Sequence, residues 1–398
     1  MPRVLMFRRF VLAIAVLLVA GVVFFFTGLA GVVDRSLNKV TTSGPYRAAA
    51  WTDSLLDSVG VVDLHADALL WPRDLLVRHD HGHVDLPRLR EGRVVLQVFS
   101  VVTKTPRGIN YERNSDATDN ITLLAMAERY PVRAWRSLLE RARWQAERLH
   151  DAATRSIEAP GATPLVIVRS KADLARLRSL LRSTHTVGGI LATEGLHPLE
   201  SRLENVDTLV ASGFRIFGLT HFFDNEVGGS AHGERKGGLT PFGRQVVQRL
   251  DSLGMIIDVA HGSPKLFDDV LALSRRPVIV SHGGVQGTCK GPRNLTDDQL
   301  RRLGEKGGVI GVGYWDGAIC EPTPEAFARA VAYAIRVAGE DHVALGSDFD
   351  GSTTTPFDAT GMGRVVASLR SAGLSDAQVA KVISGNALRL LDSLLPER

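Results

Sequence analysis

Imidazole and carboxylate side chains recur in this chain where short apolar runs give way to turn residues. In His65-Ala-Asp67 the two types lie two positions apart at the end of such a run. Side chains at i and i+2 of a strand share a face, so both can reach one ion. Glu194, His221, His261 and His282 each end a run of the same kind, and Asp348-Phe-Asp350 ends the last. Imidazole nitrogen combined with carboxylate oxygen suits Zn2+, with Mn2+ or Co2+ as substitutes. His65, Asp67, Glu194, His261 and His282 are more than one tetrahedral ion with an open position needs. Two ions about 3.5–4 Å apart that share a carboxylate would use all five. Glu194, a lone acid on a central run, is the natural bridge. A single strand-end histidine is more often structural; recurrence on successive runs is what points to a metal centre.

The elements that must position these residues are eight strands, at 61–67, 94–100, 187–194, 215–221, 255–261, 277–282, 309–314 and 343–348. Their runs are almost wholly apolar rather than alternating, as in parallel strands covered on both faces. Amphipathic helical patterns lie between them, at 199–212, 241–253, 263–274, 296–306 and 324–337, with Thr296 as an N-cap. Eight strands alternating with helices predict an α/β fold, a (β/α)8 TIM-type barrel, in preference to a doubly wound sheet. In such a barrel every strand points the same way. The strand-end residues then meet at one mouth, where barrel active sites are built. A long insert, 101–186, separates the second and third strands. It carries one long helical pattern from Asn120 to about Ser156 and a short apolar run at Val166 that reads as an extra strand. The pattern at 375–395 reads as a closing helical region.

Other residues have plainer readings. Asp350 caps a loop. His79, His81 and His83 alternate in a polar loop and read as solvated surface or substrate rim. His342 precedes the eighth strand, at the far end of the barrel, and reads as structural; His150 and His185 fall in the polar insert. His232 lies in a glycine-rich loop, 228–233, that follows His221 and suits a backbone wrapped closely around a ligand. Either role fits it. Arg293 follows the sixth strand, where a guanidinium can hold a carboxylate through two parallel hydrogen bonds. Cys289 and Cys320 allow at most one disulfide. They exclude a disulfide framework or a cysteine-ligated zinc site.

Residues 10–33 contain no charge. A helix crosses a bilayer core with roughly 20 apolar residues, so this run suffices. Three arginines precede it, which predicts a cytoplasmic basic segment at 1–9 and an exported body. The run is long for the apolar core of a signal peptide, and that favours an uncleaved anchor over a cleaved signal. A short polar linker, 34–50, would lead to the main domain at 51–398. The net charge of +4 owes most to those arginines, so the body is close to neutral and offers no basic stripe for nucleic acid. The hydrophobic share, 44%, is that of a globular protein and excludes a disordered chain.

Taken together, Val-Asp-Leu-His65-Ala-Asp67, Thr-Glu194-Gly, Leu-Thr-His221-Phe-Phe-Asp-Asn, Asp-Val-Ala-His261, Val-Ser-His282, Gly-Pro-Arg293-Asn and Gly-Ser-Asp348-Phe-Asp-Gly resemble the membrane dipeptidases, the M19 metallopeptidases, from about Val61 to Leu391. The resemblance implies a zinc-dependent dipeptidase on a barrel of the metal-dependent amidohydrolase kind. It implies two zinc ions, one held by His65, Asp67 and Glu194 and the other by Glu194, His261 and His282. It further implies that His221 binds the substrate and its transition state, that Arg293 holds the C-terminal carboxylate, and that Asp348 handles the proton and the free amino group. Dipeptides and the membrane are the expected partners, with a homodimer as an option. The rival readings are a related amidohydrolase acting on another amide, lactone or β-lactam, and a membrane-anchored binding protein without activity.

Overall fold

The structure, a computed structural model, describes residues 2–181 and 185–397. Residues 182–184, at the end of the expected insert, lie outside the described residues, as do Met1 and Arg398.

Eight parallel strands close into a barrel: β1 Val61–Ala66, β2 Val94–Val102, β3 Val187–Glu194, β4 Phe214–Gly218, β5 Ile256–Asp258, β6 Ile279–Gly283, β7 Val309–Val312 and β8 Val343–Leu345. Neighbours in sequence pair all the way round. The ring shuts where Leu345 of β8 pairs with Asp63 of β1. The unbroken apolar runs follow from burial on both faces. Val62, Leu64, Leu96, Val98, Ile190 and Ile216 fill the interior, while Val61, Phe99, Leu191 and Phe217 pack under the outer helices. Strands β4, β5, β7 and β8 are shorter than their apolar runs, so His221, His261 and Asp348 stand on the loops just beyond β4, β5 and β8. The short strand Leu165–Ile167 pairs with the start of β3, as the extra strand expected outside the barrel.

Helices Pro241–Leu253, Pro264–Leu273, Asp297–Glu305 and Pro324–Ala338 lie where the periodicity places them. Thr296 caps its helix in a reciprocal arrangement with Gln299. The C-terminal region is three consecutive helical pieces. The last, Asn386–Leu394, presses Ala387, Leu390, Leu391 and Leu394 against the interior side chains and plugs the barrel floor.

Two expectations are corrected. The helical pattern from Asn120 to Ser156 is three helices, Ile121–Ala127, Val132–Arg136 and Leu138–Glu158. Pro131 lacks the N–H that a continuous helix needs and disfavours helical backbone at Tyr130. Arg129 turns with φ 57°, and Ser137 caps the third helix. The apolar run to Val33 likewise divides at Gly28, into α1 Pro2–Thr27 and α2 Leu29–Leu37. Val4–Thr27 of α1 is long and apolar enough to span a membrane and has none of its length buried. Helix α2 docks on the barrel and buries Ala30 and Asp34. The polar stretch after it begins as a docked segment, since Lys39–Val40 pairs in parallel with Thr354–Thr355. A carboxylate at Asp34 can be buried because Arg73 and His81 meet it.

Candidate metal centre and substrate pocket

At the C-terminal mouth of the barrel the side chains singled out from sequence converge. His65 extends from β1 and Asp67 follows it; His65 Nε2 lies 3.5 Å from Asp67 Oδ1 and 3.6 Å from Glu194 Oε1. The same glutamate oxygen is 3.0 Å from His261 Nε2 and 3.5 Å from His282 Nε2. His261 Nε2 and His282 Nε2 face each other at 3.0 Å. All five residues are buried. Three sets of three could hold an ion: His65, Asp67 and Glu194; Glu194, His261 and His282; and His65, His282 and Asp348. Glu194 belongs to two of them. Asp348 enters as a candidate ligand that sequence reasoning had kept for proton handling.

The donor atoms fit divalent cations. Nitrogen and oxygen ligands about 2.0–2.1 Å from a tetrahedral ion stand roughly 3.3 Å from one another, which is the spacing found. His65 Nε2, Asp67 Oδ1 and Glu194 Oε2 are buried without a hydrogen-bond partner among the described residues. Such atoms are costly unless something else meets them. Burial holds His261 and His282 well below the ordinary histidine pKa, so their rings are neutral and offer lone pairs. Burial, reinforced by Asp67, pushes the Glu194 carboxyl up to about 8. Burial opposes charge on His65, yet Asp67 and Glu194 outweigh it and raise its pKa well above the ordinary value.

A layer below fixes the candidate ligands. The Asp258 carboxylate accepts hydrogen bonds from Ala260 N and Ser281 N, both at 2.9 Å, so it shapes the chain before His261 and before His282. Ser281 Oγ lies 2.9 Å from His282 Nδ1. Asp63 accepts from Ser347 N at 2.8 Å and Ser347 Oγ at 2.6 Å, next to Asp348. Sequence reasoning missed Asp63 and Asp258. The signal was there, since Asp63, His65 and Asp67 alternate and Asp258 stands three residues before His261. His261 (φ 60°) and Asp348 (φ 58°) adopt left-handed backbone that non-glycine residues seldom take. Such strain concentrates at functional sites.

Beside the donors lies a cavity of about 640 Å³. His221, Arg293 and Asp348 line it together with Asp67, Glu194 and His261. His221 Nε2 is 3.3 Å from Glu194 Oε1, and burial lowers its pKa well below the usual value. Arg293 is buried rather than on the surface. Its guanidinium lies 4.9 Å from the centre of the Trp315 ring and donates from Nη2 to His282 O at 3.1 Å. Its Nε has no partner among the described residues. Asp348 Oδ1 lies 4.0 Å from His65 Nε2, and burial raises its carboxyl to about 6. Tyr111 and Trp315, which also line the cavity, carry no motif that would have flagged them.

The remaining expectations sort themselves by contact. Asp350 accepts from His83 N and Val84 N and pairs with Arg73, a structural role. His83, read as solvated, is fully buried between Asp350 and Lys39 O; the alternation says nothing about depth. His79 and His81 bond to Asp74 O and to Asp34 and Asp80. His342 bonds to Gly308 O, as a structural residue should. His232 is buried against Phe222, with Nδ1 2.7 Å from Tyr111 O. The glycine-rich loop packs closely on the backbone that follows it: a side chain at Gly229 would strike Gly237 O. Cys289 and Cys320 form a disulfide.

Residues 50–394 match the model of the membrane dipeptidases, peptidase family M19. The chain belongs to the membrane dipeptidase family. It is 29% identical over 366 residues to dipeptidase aclJ of Aspergillus oryzae, covering 85% of this chain and 79% of that protein. Among solved structures, the metallopeptidase dipeptidase AC of family M19 superposes with a TM-score of 0.65 at 25% identity, covering 85% of this chain and 99% of that one. A metallopeptidase from Rhodobacter sphaeroides, liganded with a phosphinate mimic of the dipeptide L-Ala-D-Ala, gives 0.66 at 25% identity over 84% of this chain and 99% of that one. This membrane dipeptidase is thus a metal-dependent hydrolase of dipeptides on a TIM-type barrel.

Proposed function

We propose that this membrane dipeptidase works with two zinc ions, one held by His65, Asp67 and Glu194, the other by Glu194, His261 and His282, with Glu194 shared. The observation that carries the reading is the presence of Glu194 in both sets of buried, mutually facing donors. Zinc bound there would supply Lewis acidity, which acidifies water and polarises a carbonyl oxygen.

The chain's own residues supply the rest. Arg293, stacked on Trp315 with Nε free, pairs with the substrate's terminal carboxylate and restricts the pocket to short peptides with a free C-terminus. His221, neutral because it is buried, donates a hydrogen bond to the oxygen that becomes negative as the peptide bond is attacked. Asp348, with a carboxyl near 6, takes a proton from the attacking water and returns it to the leaving amine. Its charge also meets the free amino group.

Helix α1 anchors the chain, with the barrel on the extracytoplasmic side. Support comes from the arginines before the apolar span and from the disulfide, a bond that persists in oxidising compartments. Metal analysis of the purified protein together with a dipeptide panel containing L,L and L,D isomers tests the whole. About two zinc ions per chain with turnover of free dipeptides is the expected result; a metal content near zero would leave only the inactive binding protein.

A further inference from the structure

Non-glycine residues seldom take left-handed backbone, yet the loop after β8 has three of them at alternate positions. Asp348, Asp350 and Ser352 have φ of 58°, 62° and 59°. Backbone of this kind persists only where the surroundings over-determine it.

Much of what holds this loop precedes the residues that match the dipeptidase family, 50–394. Asn38, which follows α2, accepts a hydrogen bond at Oδ1 from Ser352 N at 2.9 Å. Lys39–Val40 runs in parallel register with Thr354–Thr355, and Lys39 N donates to Thr353 O at 3.2 Å. Thr353 Oγ1 in turn donates to Asp348 O at 2.8 Å. His83 accepts from Asp350 N at Nδ1, and its Nε2 lies 2.9 Å from Lys39 O. Arg73 joins Asp350 to Asp34. Asp34 and Asn38 are buried and joined to each other, Asn38 Nδ2 donating to Asp34 Oδ1 at 2.8 Å. Each of the three left-handed residues is therefore reached from residues 34–39: Ser352 directly, Asp350 through Arg73 and His83, and Asp348 through Thr353.

We infer that Asp34 and Asn38 are positioning residues for the hydrolysis: they set the aim of Asp348, so the site of this chain is complete only with the segment before the barrel. The inference rests on Asp348 as the proton carrier. A displacement of about 1 Å at a reacting group can cost on the order of 100-fold in rate. His65, Asp67, Glu194, His261 and His282 all lie outside the loop 348–352, so zinc content should not follow that loss.

The test uses the full chain in dodecyl maltoside micelles, with L-Ala-L-Ala as substrate and kcat, KM, zinc content and Tm as readouts. Asn38→Ala should lower kcat by about 10- to 100-fold while KM and zinc content stay at the wild-type values. Asn38→Asp sets two carboxylates together and should be as slow. The exchange Asp34→Asn with Asn38→Asp restores both an acceptor for Ser352 N and a hydrogen bond between the two residues, and should bring kcat back toward the wild type. A role in stability alone would lower Tm and leave kcat of the folded enzyme unchanged, and that result in Asn38→Ala overturns the inference. Zinc lost in step with activity overturns it too, as does an exchange that regains Tm but not kcat. If Asp348→Asn itself turns over at the wild-type rate, the proton role of Asp348 fails and the inference falls with it; if Asp348→Asn is slow and Asn38→Ala is not, only the inference falls.

Discussion

Arg73 Nε donates to Asp34 Oδ2 at 2.8 Å, and both side chains are buried. Arg73 Nη2 is also 2.8 Å from Asp350 Oδ1. One guanidinium thus ties α2, which follows the long apolar helix α1, to the loop that carries Asp348. Removing one partner of a buried pair leaves an uncompensated charge and costs about 3–5 kcal/mol. In a chain beginning at Leu29, Asp34→Ala should lower the free energy of unfolding in urea by about that much. A chain beginning at Thr41, which lacks Asp34, should show a similar loss. A loss below about 1 kcal/mol in both would mean the tie is dispensable.

Metal stoichiometry separates a shared ligand from an unshared one. Glu194→Ala should take the zinc content of the purified protein from two ions toward zero, because Glu194 Oε1 lies within 3.6 Å of donors in both sets. His282→Ala should spare one ion. Elemental analysis that finds the same residual zinc in the two variants refutes the bridge.

Asp348→Asn keeps the size of the side chain and suits the left-handed backbone at this position, since asparagine tolerates it better than most residues. The variant should hold its metal and lose about 100-fold or more in kcat, the scale of a missing proton carrier. Turnover at the wild-type rate would remove Asp348 from the proton path.

Arg293→Ala should raise KM for free-acid dipeptides by roughly 10- to 100-fold, the worth of hydrogen bonds to a charged group. C-terminal amides, with no carboxylate to hold, should be affected far less. Equal losses for acid and amide would argue against the clamp.

His197 provides a pH test of stability. Its ring is buried on Phe223, at 4.5 Å between centres, and neither nitrogen has a partner among the described residues. Burial pushes its pKa down to about 3 from 6.5. Between those values the unfolded chain binds a proton that the folded chain refuses. Stability therefore rises with pH across this window and falls as the pH drops from 6.5 toward 3, by at most about 1.4 kcal/mol per pH unit. His197→Phe should flatten that acid slope in urea melts at pH 5 and pH 7. An unchanged slope would assign the acid sensitivity to other groups.

The barrel and most of its site were legible because local chemistry encodes them. Apolar runs of strand length, each ending in an imidazole or carboxylate, fix both the strand and the mouth to which its last residue belongs. Pro131 shows the opposite case, where a single breaker inside a strong helical period was outweighed in reading yet decides the fold locally. Asp63 and Asp258 were hidden for another reason. A buried carboxylate looks the same in sequence whether it holds an ion or the backbone beneath one, and only its neighbours, Ser347 and Ala260, tell which.

What the sequence by itself determined is the kind of chemistry and the list of donors, since residue types and two-residue spacings specify a strand end and its reach. The tertiary structure decided which donors face one another, how deep Arg293 and His83 lie, and that α2 and the insert line a cavity beside the donors. Those relations join residues up to hundreds of positions apart. They come from closure of the barrel and from burial, which select among contacts that no local pattern records.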